Sequence, residues 1–384
     1  MNAAAIAAEL VDRFGDSNAP MSVRWAPGRV NLIGDHVDYC GGPVLPMPIQ
    51  FGTTVAVRIV DSSRVRGASC NTTTVIDSPL GAEASMPAGS WGRFIHGAIA
   101  VLAGEGISIP GVDVLVSGDI PGSGLSSSAS LAVALLSALT GALGRTMPPL
   151  QLALAAQRIE HEYVGVQCGL MDQAVIALAE PGAALLFDCF DHRFESIRVD
   201  DGVAVVVVDT GLTRQLVNSA YNARLNETRA GAAALGVEHA ALGRVDWATF
   251  LARCTAIDSA VVLRRTRHVV SESLRVIDGA AALRAQDWAT LGELFRRSHA
   301  SLRDNFEVSC PQLDVLADAL AQQPGCYGAR MTGAGFGGSV VALVDVSSAE
   351  RVMANALLPY AKRFGTTPRG FIARSVGGVR SLDG

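Results

Sequence analysis

Gly118-Asp119-Ile120-Pro121-Gly122-Ser123-Gly124-Leu125-Ser126-Ser127-Ser128-Ala129-Ser130, running on into Leu131-Ala132-Val133-Ala134-Leu135-Leu136, is the stretch whose reading decides the fold. Val112 to Val116 before it reads as a strand, and the Ala/Leu/Val run after it reads as a buried helix. A Gly-Ser loop between strand and helix exposes backbone N–H groups, and the helix N-terminus behind it completes a seat for phosphate. The serines suit two jobs, capping the helix and ligating magnesium through their hydroxyls. Taken alone, the stretch admits two readings: an anion cradle, or an N-capped core helix after a Gly-rich turn.

Composition narrows the classes. The 384 residues are 49% hydrophobic with 40 glycines, a length that suits two domains sharing an interface. The charged, turn-like connection from Asp191 to Asp201 marks the boundary, giving domains 1–200 and 201–384. Net charge is −5 with both signs interspersed, so no nucleic-acid or membrane-surface footprint is expected, and monomer and homodimer both stay open. Lys362 is the only lysine, which excludes a Lys-dependent phosphate loop of the G-x-x-x-x-G-K-[ST] type. Seven scattered cysteines without a C-x-x-C pair fit reduced thiols in a cytoplasmic protein. Met1 to Leu10 lacks the basic leader of a signal peptide, and no apolar run approaches the roughly 20 residues of a membrane span.

Outward from the central loop, Ala3 to Phe14 reads as an amphipathic helix and Ser22 to Ala26 as a strand. Arg29, Asp35, His36 and Asp38 then crowd a Gly-punctuated loop amid apolar residues. Such groups are costly to bury unless paired or used on a ligand. The stretch is either a surface turn with an internal Arg–Asp pair or a set of hydrogen-bonding groups for a polyhydroxylated ligand. Gly52 to Ile59 is a strand, followed by polar, turn-rich sequence to Gly89. Trp91 to Leu102 is a helix, with Trp91 and Phe94 on its apolar face. Leu150 to Tyr163 is a helix carrying Glu160 and Glu162, which at i, i+2 point apart, so at most one shares a site. Asp172 opens a further helix, where it either pairs with the helix dipole or serves as a partly buried base.

The C-terminal half begins with Val203 to Val208, a β-branched run that predicts a strand buried on both faces. Arg214 to Ala234 is a helix presenting Tyr221 and Arg224, for a ligand or for interface packing. Phe250 to Val261, Arg267 to Leu283, Trp288 to Arg303 and Asp314 to Gln322 carry helical periodicity. A second Gly-rich turn, Gly328 to Ser339, enters the strand Val340 to Val344. A helix over Glu350 to Phe364 and a strand over Gly370 to Arg374 close the chain.

Two Gly-rich loops, a serine cluster, an arginine and several carboxylates without a Walker lysine point to phosphoryl transfer by another architecture. Such catalysis is mostly positioning and charge stabilisation. It needs a nucleotide cradle, a metal held by hydroxyl and carboxylate, an arginine near the transferred group and a carboxylate facing the acceptor hydroxyl. The chain supplies a candidate for each.

Pro27-Gly28-Arg29-Val30-Asn31-Leu32-Ile33-Gly34-Asp35-His36 with Asp38-Tyr39, Gly124-Leu125-Ser126-Ser127-Ser128-Ala129-Ser130, and Met331-Thr332-Gly333-Ala334-Gly335-Phe336-Gly337-Gly338 resemble the three signatures of the GHMP kinase superfamily. Within it the chain is most similar to the galactokinases. Cys168 to Gln173, Ser219 to Arg224 and Ser298 to Phe306 extend the likeness, which runs in order from about residue 20 to 375. The resemblance implies an α+β, two-domain fold, N-terminal ribosomal-S5-like and C-terminal ferredoxin-like, with the site between. It implies ATP-dependent phosphorylation of a sugar's anomeric hydroxyl, with ATP and Mg2+ as cofactors. By the same likeness Asp172 is the base and Arg29 neutralises charge at the γ-phosphate. Asp35, His36, Asp38, Gly169 and Tyr221 hold the sugar. Gly122, Ser123, Gly124, Leu125, Ser126, Ser127 and Ser128 wrap the phosphates, Trp91 borders the adenine, Ser128 and Glu160 ligate the metal, and Gly333 to Gly338 completes the wall.

Three departures bear on the substrate. Asp35 stands where galactokinases usually carry Glu, which reaches the sugar's 6-hydroxyl, and Asp is one methylene shorter. Leu225 replaces a common Arg, and Pro121-Gly122-Ser123-Gly124-Leu125 is one residue shorter than the usual loop. These leave galactose and a galactose-like, C6-extended aldose both open. A catalytically silent sugar sensor and a GHMP kinase for a non-sugar alcohol such as mevalonate or homoserine are the alternatives.

Overall fold

The computed structural model describes residues 2–82, 86–122, 124–212 and 217–383. In chain order the elements are α1 (Ala3–Phe14), β1 (Met21–Ile33), β2 (Pro43–Ile59), β3 (Arg64–Ser69), β4 (Ile76–Pro79), α2 (Gly92–Gly104), β5 (Val112–Gly118), α3 (Ser127–Ala142), α4 (Pro149–Arg158) and α5 (Met171–Leu178). Then follow β6 (Ala183–Asp188), β7 (Phe194–Arg198), β8 (Val203–Asp209), α6 (Val217–Leu235), α7 (Trp247–Arg253), α8 (Ala260–Arg284) and α9 (Trp288–Ser301). The chain ends with α10 (Pro311–Ala321), β9 (Cys326–Thr332), β10 (Ser339–Asp345), α11 (Ala349–Phe364), β11 (Arg369–Ala373) and β12 (Arg380–Ser381).

Two sheets organise these elements. The first runs β12-β1-β2-β5-β3-β4, with β6 and β7 attached to the start of β2. Its side chains alternate faces as a pleat requires. Val55, Val57, Val112, Val114 and Val116 point into a core with α2 to α5, while Ala56 and Leu115 meet Ile6 and Leu10 of α1 on the other side. The second sheet is antiparallel in the order β11-β8-β10-β9. Its connectivity, β8–helices–β9–β10–α11–β11, is the ferredoxin-like βαββαβ pattern.

β8 is buried on both faces, as its unbroken apolar run predicts. Its side chains divide cleanly: Ala204, Val206 and Val208 face the helices α10 and α11, and Val203, Val205 and Val207 face Val30, Leu32, Ile33, Leu45 and Met47 of the first sheet.

That second contact corrects the reading of Pro27 to Ile33 as loop. The segment continues β1, because Val30, Leu32 and Ile33 are buried against the second sheet. Irregular pairing with β2 between Pro27 and Arg29, and again between Asn31 and Ile33, bends the strand locally. The turn proper begins at Gly34.

Other boundaries move for local reasons. β3 and β4 lie inside the polar stretch read as turns, and β7 inside the Asp191–Asp201 connection read the same way. All three are short strands of four to six residues with polar or small side chains among them, which hides their apolar signal. Phe250 to Val261 is not one helix, since α7 ends at Arg253 and Ser259 caps α8, its side chain accepting from Val262 N–H. β12 is only two residues long and is defined by pairing Arg24 with Ser381 and Trp25 with Arg380. The start of the helix read from Arg214 lies outside the described residues. All seven cysteines are free thiols, and among the described residues no helix is long and apolar enough to cross a membrane.

Candidate active site

A cavity of about 380 Å³ opens where the N-terminus of α3, the turn after β1, the first turn of α5 and the loop after β9 converge. Its lining includes Arg29, Asp35, His36, Asp38, Tyr39, Gly124, Ser126, Ser127, Ser128, Glu160, Gly169, Asp172 and Tyr221. Residues from both halves of the chain, from Arg29 near its start to Ala334 near its end, are thereby brought together.

Asp172 is held from two sides. Arg29, only 5% exposed, donates from Nε and Nη2 to its Oδ1, both at 2.7 Å. Ser126 Oγ donates to Oδ2 at 2.5 Å. The remaining Arg29 nitrogen, Nη1, donates to the Gly124 carbonyl at 2.7 Å, so one guanidinium ties the carboxylate to the Gly-Ser loop.

Ser126 does not act as the side-chain cap that the sequence suggests. It sits in the left-handed region with φ +64°, and its hydroxyl goes to Asp172 rather than to the helix N–H groups. The first N–H groups of α3 thus have no side-chain cap, and Ser127 and Ser128, which open the helix, are exposed and line the cavity. This is the arrangement that helix termini use for anions.

Within the same loop, Leu125 contributes backbone only. Its side chain is 1% exposed in the core, and its carbonyl accepts from Arg29 N–H. Gly122 stands off the cavity against Asp209, whose carboxylate would overlap a Cβ at that position. Ser123 lies outside the described residues. Trp91 is also off the cavity: it precedes α2 and packs against the Val-rich core, its ring tip near Gly67.

The opposite wall carries Asp35, His36 and Asp38. Asp35 is 1% exposed and bridges to the second sheet, accepting from Arg330 Nη2 at 2.5 Å and from Gly333 N–H at 2.8 Å. His36 bonds Tyr39 Oη through Nδ1 at 2.9 Å and reaches the Ala334 carbonyl through Nε2 at 3.2 Å. Gly169 must be glycine because a Cβ there would overlap the Asp38 carboxylate.

Glu160 enters the cavity because α4 does not end as an α-helix. Ile159 to Val164 form a π-helical turn, a local widening often found at functional sites. It leaves Glu160 6% exposed and sends Glu162 out to Arg158 at 3.0 Å. Glu160 Oε1 accepts from Gln173 Nε2 at 2.7 Å.

Four carboxylates, Asp35, Asp38, Glu160 and Asp172, line the one cleft. Burial first, and Asp172 second, push Glu160 up to about 7. The same two causes push Asp38 up to about 7. A site with this excess of partly suppressed negative charge favours a cation or positively polarised ligands.

Tyr39, Cys168, Met171, Asn222 and Ala334 also line the cavity without having been singled out as ligands. Tyr39 belongs to the first signature stretch, so its signal lies in the sequence. Arg224 takes the packing role: it donates to the Phe306 carbonyl at 2.7 Å and the Glu307 carbonyl at 2.9 Å.

A fold of this kind, with a Gly-Ser loop and an Arg–Asp pair at the junction, defines a GHMP kinase. The models for GHMP kinases match here, the N terminal domain at residues 93–180 and the C terminal at 280–360. The galactokinase galactose-binding signature matches residues 8–59. The chain is 40% identical over 372 residues to a galactokinase of Chloroflexus aggregans, covering 94% of this chain and 93% of the relative. It is 39% identical to a galactokinase of a Roseiflexus species, over 97% and 96% of the two chains. The Lactococcus lactis galactokinase complexed with galactose superposes with a TM-score of 0.94 at 33% identity, over 98% of this chain and 99% of the other. Methanococcus jannaschii mevalonate kinase, at 18% identity and a TM-score of 0.67, shares the fold over 94% of this chain and 99% of the other. The chain belongs to the galactokinase family, and it is an enzyme of the sugar 1-kinase class.

Proposed function

We propose that this chain transfers the γ-phosphoryl group of ATP to the anomeric (C1) hydroxyl of galactose or of a galactose-like aldose with room for change at C6, and that the domains meet near residue 200. The observation that carries the reading is the Arg29–Asp172–Ser126 arrangement at the mouth of an uncapped helix.

Asp172 orients the acceptor hydroxyl and takes its proton at Oδ2, since Oδ1 is occupied by two N–H donors of Arg29. The hydroxyl of Ser126 occupies the hydrogen-bonding position that an acceptor hydroxyl would use. Arg29 lowers the cost of negative charge on the acceptor oxygen and on the transferred group. The N–H groups of Ser127 and Ser128 face the phosphates. Asp38, Gly169, His36 and Tyr221 form the sugar wall, and Trp91 borders the adenine from outside the acceptor cavity.

The donor set fits magnesium, which prefers oxygen ligands and keeps several from phosphates and water. Ser128 supplies a hydroxyl, and Glu160 a carboxylate whose burial without a cation is unfavourable. Among the described residues no cluster of three or more His, Cys, Asp or Glu side chains makes a protein-only metal cage. A metal here would therefore lean on the nucleotide, and would supply charge neutralisation between the phosphates.

Both oxygens of Asp35 already have donors on the second sheet. A shorter carboxylate drawn that way grips a 6-hydroxyl less, which supports tolerance at C6. ADP release should be measured over galactose, talose, arabinose, fucose, heptoses and octoses, phosphorylated and not. Turnover of galactose with 6-modified sugars close behind is expected. Galactose turning over far better than every other sugar overturns the C6 tolerance. Tight sugar and ATP binding without turnover overturns the kinase reading in favour of a sensor, and turnover of mevalonate or homoserine alone overturns the sugar reading.

A further inference from the structure

Behind the sugar wall lies a charged cluster set back from the cavity. Glu272 of α8, Ser298 of α9 and Arg330 of β9 are each 0% exposed, and none lines the cavity. Ser298 Oγ donates to Glu272 Oε1 at 2.6 Å and accepts from Arg330 Nε at 3.1 Å. Arg275 closes the other side of Glu272, donating from Nε to Oε2 at 2.7 Å. Buried ion pairs of this sort are rarely the most stable way to fill a core.

The free ends of the cluster converge on the segment that runs from the end of β1 into Gly34, Asp35 and His36. Glu272 Oε1 accepts from Gly34 N–H at 3.0 Å. Arg330 Nη2 donates to Asp35 Oδ2 at 2.5 Å, and its Nη1 to the Leu32 carbonyl at 2.9 Å. His268, four residues before Glu272, meets the Asp35 carbonyl through Nε2 at 3.1 Å and Ser301 Oγ through Nδ1 at 2.9 Å. Burial pushes His268 down to about 4, so it is neutral at pH 7 and its Nε2–H is the donor to the carbonyl.

The segment so held is not relaxed backbone. Gly34 takes φ +105°, which glycine adopts freely, whereas His36, a residue with a Cβ, takes φ +65°. A non-glycine in the left-handed region persists when its surroundings over-determine it, and such residues gather where a side chain must be aimed. Here the aimed side chains are Asp35 and His36, both on the cavity wall.

We propose that Glu272, Ser298 and Arg330 are positioning residues that set acceptor affinity by holding the Gly34–His36 turn in its strained form, without touching the acceptor. The proposal rests on the sugar-kinase reading above. It implies that the two sheets and α8 are read out together as sugar affinity, while the ATP side, built on α3 and Arg29, is insulated.

Ser298→Ala tests this with the smallest change, since it removes the hydroxyl that links Glu272 to Arg330, leaving their direct 3.8 Å contact and every charge in place. The Michaelis constant for sugar should rise on the order of tenfold, the scale of one lost charge-assisted hydrogen bond, with that for ATP and kcat within about twofold. Because Ser298 reaches the turn in part through Arg330 and Asp35, Ser298→Ala added to Asp35→Asn should cost less in sugar affinity than the product of the two single losses. Glu272→Gln, which keeps the shape and removes the charge, should show the same selective rise if it folds. An unchanged sugar constant in folded Ser298→Ala, equal rises for sugar and ATP, or multiplicative losses in the double variant overturn the proposal. A wild-type chain that phosphorylates no aldose overturns both readings, whereas an active wild type indifferent to Ser298→Ala overturns this one alone.

Discussion

Arg29 and Asp172, 143 residues apart in sequence, share a two-pronged contact in which Nε and Nη2 both lie 2.7 Å from one carboxylate oxygen. The pairing points the second oxygen of Asp172 towards the cavity side, with Ser126 as its partner. Asp172→Asn keeps the size of the side chain and removes the base. It should lower kcat on the order of 10²- to 10⁴-fold while circular dichroism and the melting temperature stay near wild type.

Arg29→Lys should not rescue Arg29→Ala. The native guanidinium uses three nitrogens, two on Asp172 and one on the Gly124 carbonyl, and an ammonium cannot span that fork. Both variants should lose roughly 10²-fold or more in kcat, the scale of removing one preorganised charge-stabilising donor. A lysine variant within a few-fold of wild type would show that only the positive charge matters.

Ser126→Ala removes the hydroxyl from Asp172 Oδ2. The carboxylate then loses one of the groups that hold its orientation, so kcat should fall roughly tenfold while the Michaelis constant for ATP stays near wild type. A rise in the ATP constant with kcat unchanged would assign Ser126 to the phosphates instead.

Gly169→Ala drives a methyl group into the Asp38 carboxylate. The carboxylate must swing aside, so the Michaelis constant for sugar should rise roughly tenfold or more while ATP affinity stays put. Isothermal titration with each ligand separately reads the two effects apart.

Glu160 gives a stability signature of defined sign. Its ligand-free value stands at about 7 against an ordinary 4.5, because burial and Asp172 disfavour the charge. In the unfolded chain the group ionises first, so stability present below about pH 4.5 is lost as pH rises to about 7 and is flat above. Glu160→Gln cannot ionise there. The melting temperature of wild type should therefore fall relative to the variant between about pH 5 and pH 7, and parallel curves would show that Glu160 is solvated.

Much of this site is legible in the chain because its parts are local. The Gly-Ser loop and its helix, the Asp in the first turn of α5, and the doubly buried Val run of β8 each announce themselves within a dozen residues. Trp91 and Leu125 show the limit. A residue that the resemblance implies can contribute its backbone alone, as Leu125 does, or pack beside the cavity, as Trp91 does. The choice depends on which neighbours fill the space, and neighbours are not written in a local pattern.

By itself the sequence carried the likeness to the GHMP kinases, the Gly-Ser loop leading into a buried helix and many of the polar residues that line the cavity, because these rest on short-range patterns: glycine torsions, helix termini and charged residues amid apolar ones. Only the tertiary structure decided that Pro27–Ile33 is strand, that Ser126 serves Asp172 rather than its own helix, that a π-helical turn selects Glu160 over Glu162, and that Glu272 and Arg330 stand behind Asp35. Each of these is settled by packing between elements far apart in the chain. A buried charge takes the partner that the fold brings to it, and Asp35 and Arg330 are 295 residues apart.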